Sequence, residues 1–272
     1  MQHNSLAVRT HKTLTEALAR GSFRNLALHW DMDGTLVDSE PLHIEKLVAG
    51  AAQYGVGLTP EQFSTVQTFL VPNDAGGLRP VSMMLHGAGD KNIYQWLCTQ
   101  RPALRETLAL QTWLDERQAY YLARAHSLQA REGVALVVRG AAAAGCSQSI
   151  VTSATHAQVD VARNALLDIF PFISDVLTAD DVTRFKPEPE CYLTSQARAN
   201  QRLERRRVRP EQVCHIAIED SPTGVRAALA ASLPCVHFVL PGNAPFVAAP
   251  GHRLAVARTS EDLPEALASL VG

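Results

Sequence analysis

The stretch Asp31–Glu40 constrains the fold most, because a short apolar run leads directly into a cluster of acids and a glycine. The preceding run, Leu26–Trp30, predicts a short buried strand that ends where the charge and the glycine begin. Asp31 and Asp33 therefore follow the carboxyl end of a strand. In open parallel α/β sheets this is the end of the strand at which ligands bind. The stretch thus predicts an α/β sheet whose functional edge carries two carboxylates.

The two carboxylates of this stretch suggest covalent acid–base chemistry. Side chains two positions apart on an extended segment point to opposite faces, but a sharp turn at Gly34 would let both face one pocket. One carboxylate could then attack a substrate while the other moves a proton. An acidic turn between a strand and a helix, or part of a calcium loop, explains Asp-x-Asp-Gly about equally well. A calcium loop needs further acids at alternate positions, whereas this chain continues into Thr35–Val37.

Strand-like segments then recur late in the chain, with helical patterns between most of them. They are Ser149–Thr152, Val176–Thr178, Val213–Ile218, Pro234–Leu240 and Leu254–Val256. This alternation predicts a doubly wound, Rossmann-like parallel α/β sheet. Between the first strand and Ser149, residues 40–54 and 92–130 have helical patterns, and residues 71–91 are rich in Gly, Pro and Asn, which favours a loop.

These patterns divide the chain into three predicted parts. Residues 1–25 form an N-terminal extension, with a short amphipathic helix at Thr13–Ala19. Residues 26–41 and 132–272 form the α/β core. Residues 42–131 form an all-helical cap domain inserted after the first strand.

Composition excludes several classes of protein. The chain is 46% hydrophobic and 19% charged, with a formal net charge of −2, as in a soluble globular protein with no bias towards nucleic acid or anionic membranes. Five cysteines without a Cys-x-x-Cys pair indicate a reducing compartment and no structural zinc. No apolar run approaches the roughly 20 residues that span a bilayer. We therefore expect a cytoplasmic monomer or weak homodimer whose partner is a small molecule.

Further polar residues follow the later strands. Ser153 and Thr152 follow one strand, Lys186 lies in a later loop, and Glu219 and Asp220 end another strand. Each alone has an ordinary explanation: a helix cap, a surface turn, or a pair of solvated acids. Together with Asp31 they predict a single site, because three acids can hold a hard divalent cation, and a lysine with a hydroxyl can hold a phosphate.

Four of these segments, in this order, resemble the motifs of the haloacid dehalogenase (HAD) superfamily. The segments are Asp31–Ser39, Ile150–Ser153, Lys186–Pro189 and Ile218–Gly224. The first and the fourth are the specific ones. The similarity is to the branch of helical-cap phosphatases and β-phosphoglucomutase-like (CbbY-like) enzymes, and it covers nearly the whole chain.

The resemblance implies roles for the acids. Asp31 would be the nucleophile and form an aspartyl-phosphate. Asp33 would be the general acid and base, with its backbone carbonyl touching the metal. Asp31, Glu219 and Asp220 would coordinate Mg²⁺ through their carboxylates. Asp33 also argues against a true haloacid dehalogenase, because halide departure needs no proton.

The resemblance also implies a phosphate-binding set. Ser153 would bond the phosphoryl oxygens, with Thr152 as the alternative hydroxyl because the register of that strand end is ambiguous by one residue. The amide of Ala154 would assist, Gly34 at the turn belongs to the same set, and Lys186 would neutralise charge between Asp31 and the phosphoryl group.

Two residues of the insertion complete the candidate site. His43 matches a histidine that supports the general acid in mutase-like members, although a helix-surface histidine is nearly as good an interpretation. Lys91 belongs to the segment Gly87–Lys91, at about the position where a cap loop enters the site in related enzymes.

We therefore expect a Mg²⁺-dependent phosphotransferase that hydrolyses a small phosphomonoester, such as a sugar phosphate, through an aspartyl-phosphate. A β-phosphoglucomutase-like sugar-phosphate mutase is the first alternative, since it uses the same intermediate. A catalytically silent binding or regulatory module on this fold is the second. The substrate and the choice between phosphatase and mutase stay open at this point.

Overall fold

The computed structural model describes residues 3–63, 65–73, 76–85 and 89–271. The strands are β1 (Asn25–Trp30), β2 (Val66–Pro72), β3 (Leu78–Met84), β4 (Ser147–Val151), β5 (Asp175–Leu177), β6 (Val213–Glu219), β7 (Cys235–Phe238) and β8 (Leu254–Ala257). The helices are α1 (His3–Arg20), α2 (Glu40–Gln53), α3 (Pro60–Phe63), α4 (Asp90–Gln100), α5 (Leu104–Thr107), α6 (Leu110–Arg124), α7 (Val134–Ala143), α8 (His156–Ala162), α9 (Glu190–Glu204), α10 (Pro222–Ala230) and α11 (Leu263–Ser269).

The chain forms two compact units. The first comprises Met1–Asp38 and Leu128–Gly272, and the second comprises Ser39–Ser127. Within the described residues, no helix has both the length and the apolar character that crossing a membrane requires. All five cysteines are buried free thiols, as expected from their spacing.

The first unit contains a six-stranded parallel sheet in the order β5-β4-β1-β6-β7-β8. β1 lies between β4 and β6, and Trp30 at its end pairs with both Ile150 and Ile218. The carboxyl ends of these three strands are therefore level with one another. The strand order reverses beside β1, which makes this edge the switch point at which α/β sheets bind ligands. The predicted doubly wound α/β fold is confirmed.

The strands of the sheet centre are apolar because both faces are covered. Every residue of β6 is buried, as is every residue of β1 after Asn25. On one face, α9 packs on β1, β4 and β5, and α10 packs beside it on β6 and β7. Because successive side chains of a strand point to opposite faces, the burial of consecutive residues in β1 and β6 shows that the other face is covered as well. Such burial on two faces gives continuous apolar runs rather than an alternating pattern, which is why these strands were visible in the sequence.

Helix α1 is longer than the helix predicted at Thr13–Ala19. Its buried stripe, Leu6, Thr10, Leu14 and Ala17, repeats every three or four residues from the first turns onwards. It packs against α7 and α11 of the same unit. The prediction began the helix too late because it gave weight to Thr13 as a cap, while the apolar period already starts at Leu6.

The second unit is not entirely helical, so that part of the prediction was wrong. β2 and β3 form an antiparallel pair with Val66 opposite Met84 and Pro72 opposite Leu78. The loop prediction for residues 71–91 gave too much weight to proline, which is tolerated in strands that lie at a sheet edge. Phe69 anchors the pair in the core of this unit, beside buried Leu97 and Trp113.

A chain of buried polar groups runs through the sheet of the first unit. His29 of β1 bonds Ser195 of α9 through Nδ1 (2.8 Å) and His215 of β6 through Nε2 (3.0 Å). His215 Nε2 in turn bonds Asn200 Oδ1 at 2.9 Å. Burial lowers the pKa of His215 to about 4. Burial, and then the neighbouring His215, lower the pKa of His29 as well, so both imidazoles are neutral at neutral pH.

We predict that acid destabilises the protein through His215. Its folded pKa of about 4 lies below the ordinary value of 6.5 for histidine, so the unfolded chain binds the extra proton. This contribution to the free energy of unfolding is complete above pH 6.5 and is lost as the pH falls towards 4, by roughly 2 kcal/mol at pH 5. Urea titrations between pH 7 and 5 should show a flatter pH dependence for His215→Gln than for the exposed control His126→Gln. Equal slopes in the two variants would contradict the prediction.

Candidate active site

The ammonium of Lys186 joins the carboxyl ends of three neighbouring strands. Its Nζ donates to Asp31 Oδ1 after β1 (2.7 Å), to the Val151 carbonyl of β4 (2.9 Å) and to Glu219 Oε1 of β6 (2.7 Å). A lysine has three donors, so all of them are used. Its side chain is only 6% exposed, which means that this charge is held by protein groups and little by water.

The charged groups of this cluster shift the pKa values of one another. Burial raises the pKa of Asp31 above its ordinary value, the ammonium of Lys186 opposes that shift, and Glu219 adds to it. Burial alone would lower the pKa of Lys186, but Asp31 and Glu219 raise it above its ordinary value. The lysine is therefore charged, while its carboxylate neighbours repel one another. A further cation in the site would relieve this repulsion and lower the pKa of Asp31.

The turn after β1 carries Asp33 and brings Gly34 against Asp220. Gly34 has φ of +77°, and a Cβ at this position would overlap the Asp220 carboxylate. Met32 O accepts the amides of Leu36 (2.8 Å) and Val37 (3.0 Å), which closes the turn. Asp33 is half-buried within it. The turn at Gly34 expected from the sequence is present, and glycine is required there both by its backbone conformation and by its neighbour.

Three carboxylates meet at this edge with the chemistry of a divalent-cation site. Asp31, Glu219 and Asp220 are buried and each offers an oxygen within 4.8 Å of the others. Among the described residues, Glu219 Oε2 is buried without a hydrogen-bond partner. Hard oxygen donors are the ligands that Mg²⁺ prefers. Three carboxylates against one lysine leave the cluster negative, so the residues present fit Mg²⁺.

The two candidate hydroxyls in the loop after β4 differ in exposure and in hydrogen bonding. Thr152 is buried and its Oγ1 accepts the amide of Ala154 at 3.0 Å. Ser153 is exposed. The Ala154 amide, which the resemblance assigned to phosphate, is thus bonded inside the loop. Thr155 then caps α8 by accepting the Gln158 amide, so the loop is fixed at both ends.

The remaining candidates lie in the second unit. His43 is half-buried on α2 and stacks on Tyr121, with ring centroids 5.6 Å apart. Lys91 is exposed in the first turn of α4. Residues 87 and 88 of the segment proposed to read the substrate lie outside the described residues. The roles of His43 and Lys91 stay predictions.

Sequence reasoning missed Tyr192, a buried residue of α9 that touches the acid cluster. Its hydroxyl donates to Glu219 Oε1, and Lys186 Nζ lies 5.3 Å from the centre of its ring. Burial and then Glu219 raise the pKa of Tyr192 well above its ordinary value, so the phenol remains a donor. The signal was its position six residues after Lys186, in the first turn of the helix that follows the Lys-Pro-Glu-Pro segment.

We predict that Gly34→Ala weakens divalent-cation binding by displacing Asp220. The control is Gly145→Ala, because Gly145 also has a positive φ, +80°, but has open space at its Cβ position. Both variants should lose about 1 kcal/mol of stability from backbone strain. Calorimetric titration with Mg²⁺ should show at least tenfold weaker binding for Gly34→Ala alone. Equal Mg²⁺ affinities in the two variants would show that the Gly34–Asp220 contact does not shape the site.

Relatives of known description match most of the chain. Protein CbbY of Cupriavidus necator is 28% identical over 217 residues, which is 77% of this chain and 76% of that protein. The phosphorylated carbohydrates phosphatase of Thermotoga maritima is 26% identical over 227 residues, which is 79% of this chain and 85% of that protein.

A solved structure shares the fold. CbbY of Rhodobacter sphaeroides, crystallised with xylulose-1,5-bisphosphate, superposes with a TM-score of 0.60 at 22% identity and covers 87% of this chain and 95% of its own. The sequence model of the haloacid dehalogenase-like hydrolases matches residues 27–232, which run from within β1 to just beyond α10. The chain belongs to the haloacid dehalogenase-like hydrolase family.

Proposed function

We propose that the protein is a Mg²⁺-dependent phosphatase that hydrolyses a small phosphomonoester, most simply a sugar phosphate, through an aspartyl-phosphate on Asp31. The observation that carries the proposal is the Lys186 ammonium, held at 2.7 Å from both Asp31 and Glu219. A buried carboxylate cannot approach a phosphate dianion unless cations offset the repulsion between them. The lysine supplies one such charge at the nucleophile itself.

In the first step Asp31 attacks phosphorus. One carboxylate oxygen of Asp31 forms a bond to phosphorus while the bond from phosphorus to the ester oxygen breaks. Asp33 gives its proton to the departing oxygen, which leaves as an alcohol. Lys186 stays bonded to Asp31 and keeps it in line for attack.

In the second step water removes the phosphoryl group. Asp33, now a carboxylate, takes a proton from water as the water oxygen attacks phosphorus. The bond between phosphorus and the Asp31 oxygen breaks, so inorganic phosphate leaves and Asp31 returns as a carboxylate. Atoms and protons therefore balance over one turnover, with Asp33 protonated again.

Asp31, Glu219, Asp220 and the backbone carbonyl of Asp33 would hold the Mg²⁺. When bound, the ion neutralises phosphoryl oxygens and lowers the pKa of Asp31 so that it attacks as a carboxylate. Ser153 is the better candidate for bonding the phosphoryl oxygens, because it is exposed whereas Thr152 Oγ1 is bonded to the Ala154 amide.

We assign recognition of the rest of the substrate to the second unit, with Lys91 as a candidate contact, since the residues of the first unit named above serve phosphate and metal. The Thermotoga maritima relative, named for phosphorylated carbohydrates, favours a sugar phosphate. Five buried free thiols favour a reducing compartment such as the cytoplasm.

The deciding experiment is phosphate release over a panel of phosphorylated metabolites. Release of stoichiometric phosphate supports the phosphatase, whereas an isomeric ester without free phosphate would indicate a mutase.

We predict that Asp31→Asn abolishes turnover and leaves the fold intact. The amide is similar in size but is a very poor nucleophile, and it removes a metal ligand. The control is Asp160→Asn, since Asp160 is exposed on α8 and outside the cluster. Steady-state phosphate release and thermal unfolding should be measured on both variants. Measurable steady-state turnover by a clean Asp31→Asn preparation would rule out the covalent mechanism.

We predict that activity requires Mg²⁺ and that Ca²⁺ inhibits it. Mg²⁺ holds an octahedron at about 2.0–2.1 Å, whereas Ca²⁺ accepts more oxygens at longer distances and would engage both oxygens of Asp31. Treatment with EDTA should remove activity, and added Mg²⁺ should restore it. Full activity in metal-free buffer would contradict the prediction.

A further inference from the structure

Arg131 holds the turn that carries Asp33. It belongs to the first unit and lies between Ala130 and the start of α7. Its Nη1 donates to the Gly34 carbonyl at 2.7 Å, and its Nη2 donates to the Val239 carbonyl just after β7 at 3.3 Å. The guanidinium also lies over the ring of Phe238, 3.4 Å from its centre. One side chain thus ties the turn after β1 to the carboxyl end of β7.

The main chain of Arg131 holds the same turn from a second side. Its amide donates to the Leu36 carbonyl at 2.8 Å. Beside it, Val37 forms an antiparallel bridge with Ala130, and the Asp38 amide donates to the Gln129 carbonyl at 2.9 Å. The bonds inside the turn, from Met32 and Gly34, do not connect it to β7. The guanidinium makes that connection, from Gly34 to Val239.

The negative charges of nearby carboxylates favour a charged donor over a neutral one at this position. Burial lowers the pKa of Arg131, and the carboxylates of Asp220 and Asp38 oppose that shift. The guanidinium therefore stays charged while it bonds main-chain carbonyls. A lysine could keep the charge, but it lacks the planar fork that reaches two carbonyls and stacks on a ring.

The carbonyl that Arg131 bonds is that of Gly34, the residue after Asp33, and it belongs to the peptide between Gly34 and Thr35. Rotation of the Gly34 peptide would redirect the Asp33 side chain, because the two residues share one tight turn. A misplacement of about 1 Å in a catalytic group can lower a rate by roughly 10²-fold.

We propose that Arg131 is a positioning residue that fixes the Asp33–Gly34 turn against β7, so that Asp33 is aimed at the leaving oxygen of the substrate. The proposal rests on the function given above, in which Asp33 is the general acid. It assigns Arg131 a role in one chemical step rather than in folding alone.

The leaving group distinguishes these two roles. An alkyl ester needs a proton on its leaving oxygen, whereas p-nitrophenolate departs without one. The value of kcat/KM reports the reaction through the first irreversible step, which includes departure of the leaving group. A misaimed Asp33 thus lowers kcat/KM for an alkyl ester far more than for p-nitrophenyl phosphate. A loss of folded protein lowers both equally.

The experiment compares Arg131→Met, Arg131→Lys and the control Arg139→Met, which removes an exposed arginine from α7. The esters are the best alkyl phosphate from the panel and p-nitrophenyl phosphate. Arg131→Met should lower kcat/KM by roughly 10²-fold on the alkyl ester and by less than about tenfold on p-nitrophenyl phosphate. Arg131→Lys should restore part of the alkyl activity, and Arg139→Met should match the wild type.

Equal losses on the two esters, or no loss on either, would overturn the proposal. Amide hydrogen exchange provides a readout without turnover: residues 33–38 should exchange faster in Arg131→Met, while β4 should not change. Unchanged exchange in residues 33–38 would also overturn it. If the wild type and Arg139→Met release no phosphate from any ester, the proposed function fails, and the exchange result alone then decides whether Arg131 holds the turn.

Discussion

The first unit depends at its functional edge on one buried charge, the ammonium of Lys186. A buried ammonium is stable only when each of its donors is bonded. Here the acceptors are supplied by the ends of β4, β1 and β6, with distances of 2.7–2.9 Å. The three strands must therefore end at the same level, which the pairing of Trp30 with Ile150 and Ile218 provides. The register of the sheet therefore determines whether the charge of Lys186 can be held in the site.

Much of this edge was predictable because its signals are local. A strand buried on both faces is a continuous apolar run, and the polar residue that ends it is visible as a break. Asp31, Glu219 and Asp220 were found in this way, and the structure brings them to within 4.8 Å of one another. Lys186 was harder to predict, because it lies in a loop and does not follow directly after a strand. It was identified by the Lys-Pro-Glu-Pro motif to which it belongs. The doubly wound fold class followed from the alternation of strands and helices, whereas the order of the strands in the sheet was not predicted.

The rest depends on contacts between segments far apart in sequence. Arg131 bonds carbonyl groups, which every residue possesses, so no pattern marks its partners at Gly34 and Val239. In the sequence, Tyr192 is indistinguishable from an ordinary apolar position of α9. Only the structure shows that its hydroxyl donates to Glu219. The β2–β3 pair was missed for the opposite reason: its prolines and glycines are strong local signals, and the packing of Phe69 in the core overrides them.

The polar chain Ser195–His29–His215–Asn200 has a directional order. Because Asn200 presents Oδ1, His215 Nε2 carries the proton, so His215 Nδ1 accepts from His29 Nε2, and His29 Nδ1 accepts from the serine hydroxyl. Turning the amide of Asn200 by half a revolution would reverse every donor and acceptor in the row. All hydrogen bonds of this polar chain can therefore form in two arrangements with opposite donors and acceptors, and neither arrangement carries a net charge. Asn200, in the second half of α9, thus sets which nitrogen of His29 and of His215 donates. An aspartate at this position would stabilise only one of the two arrangements.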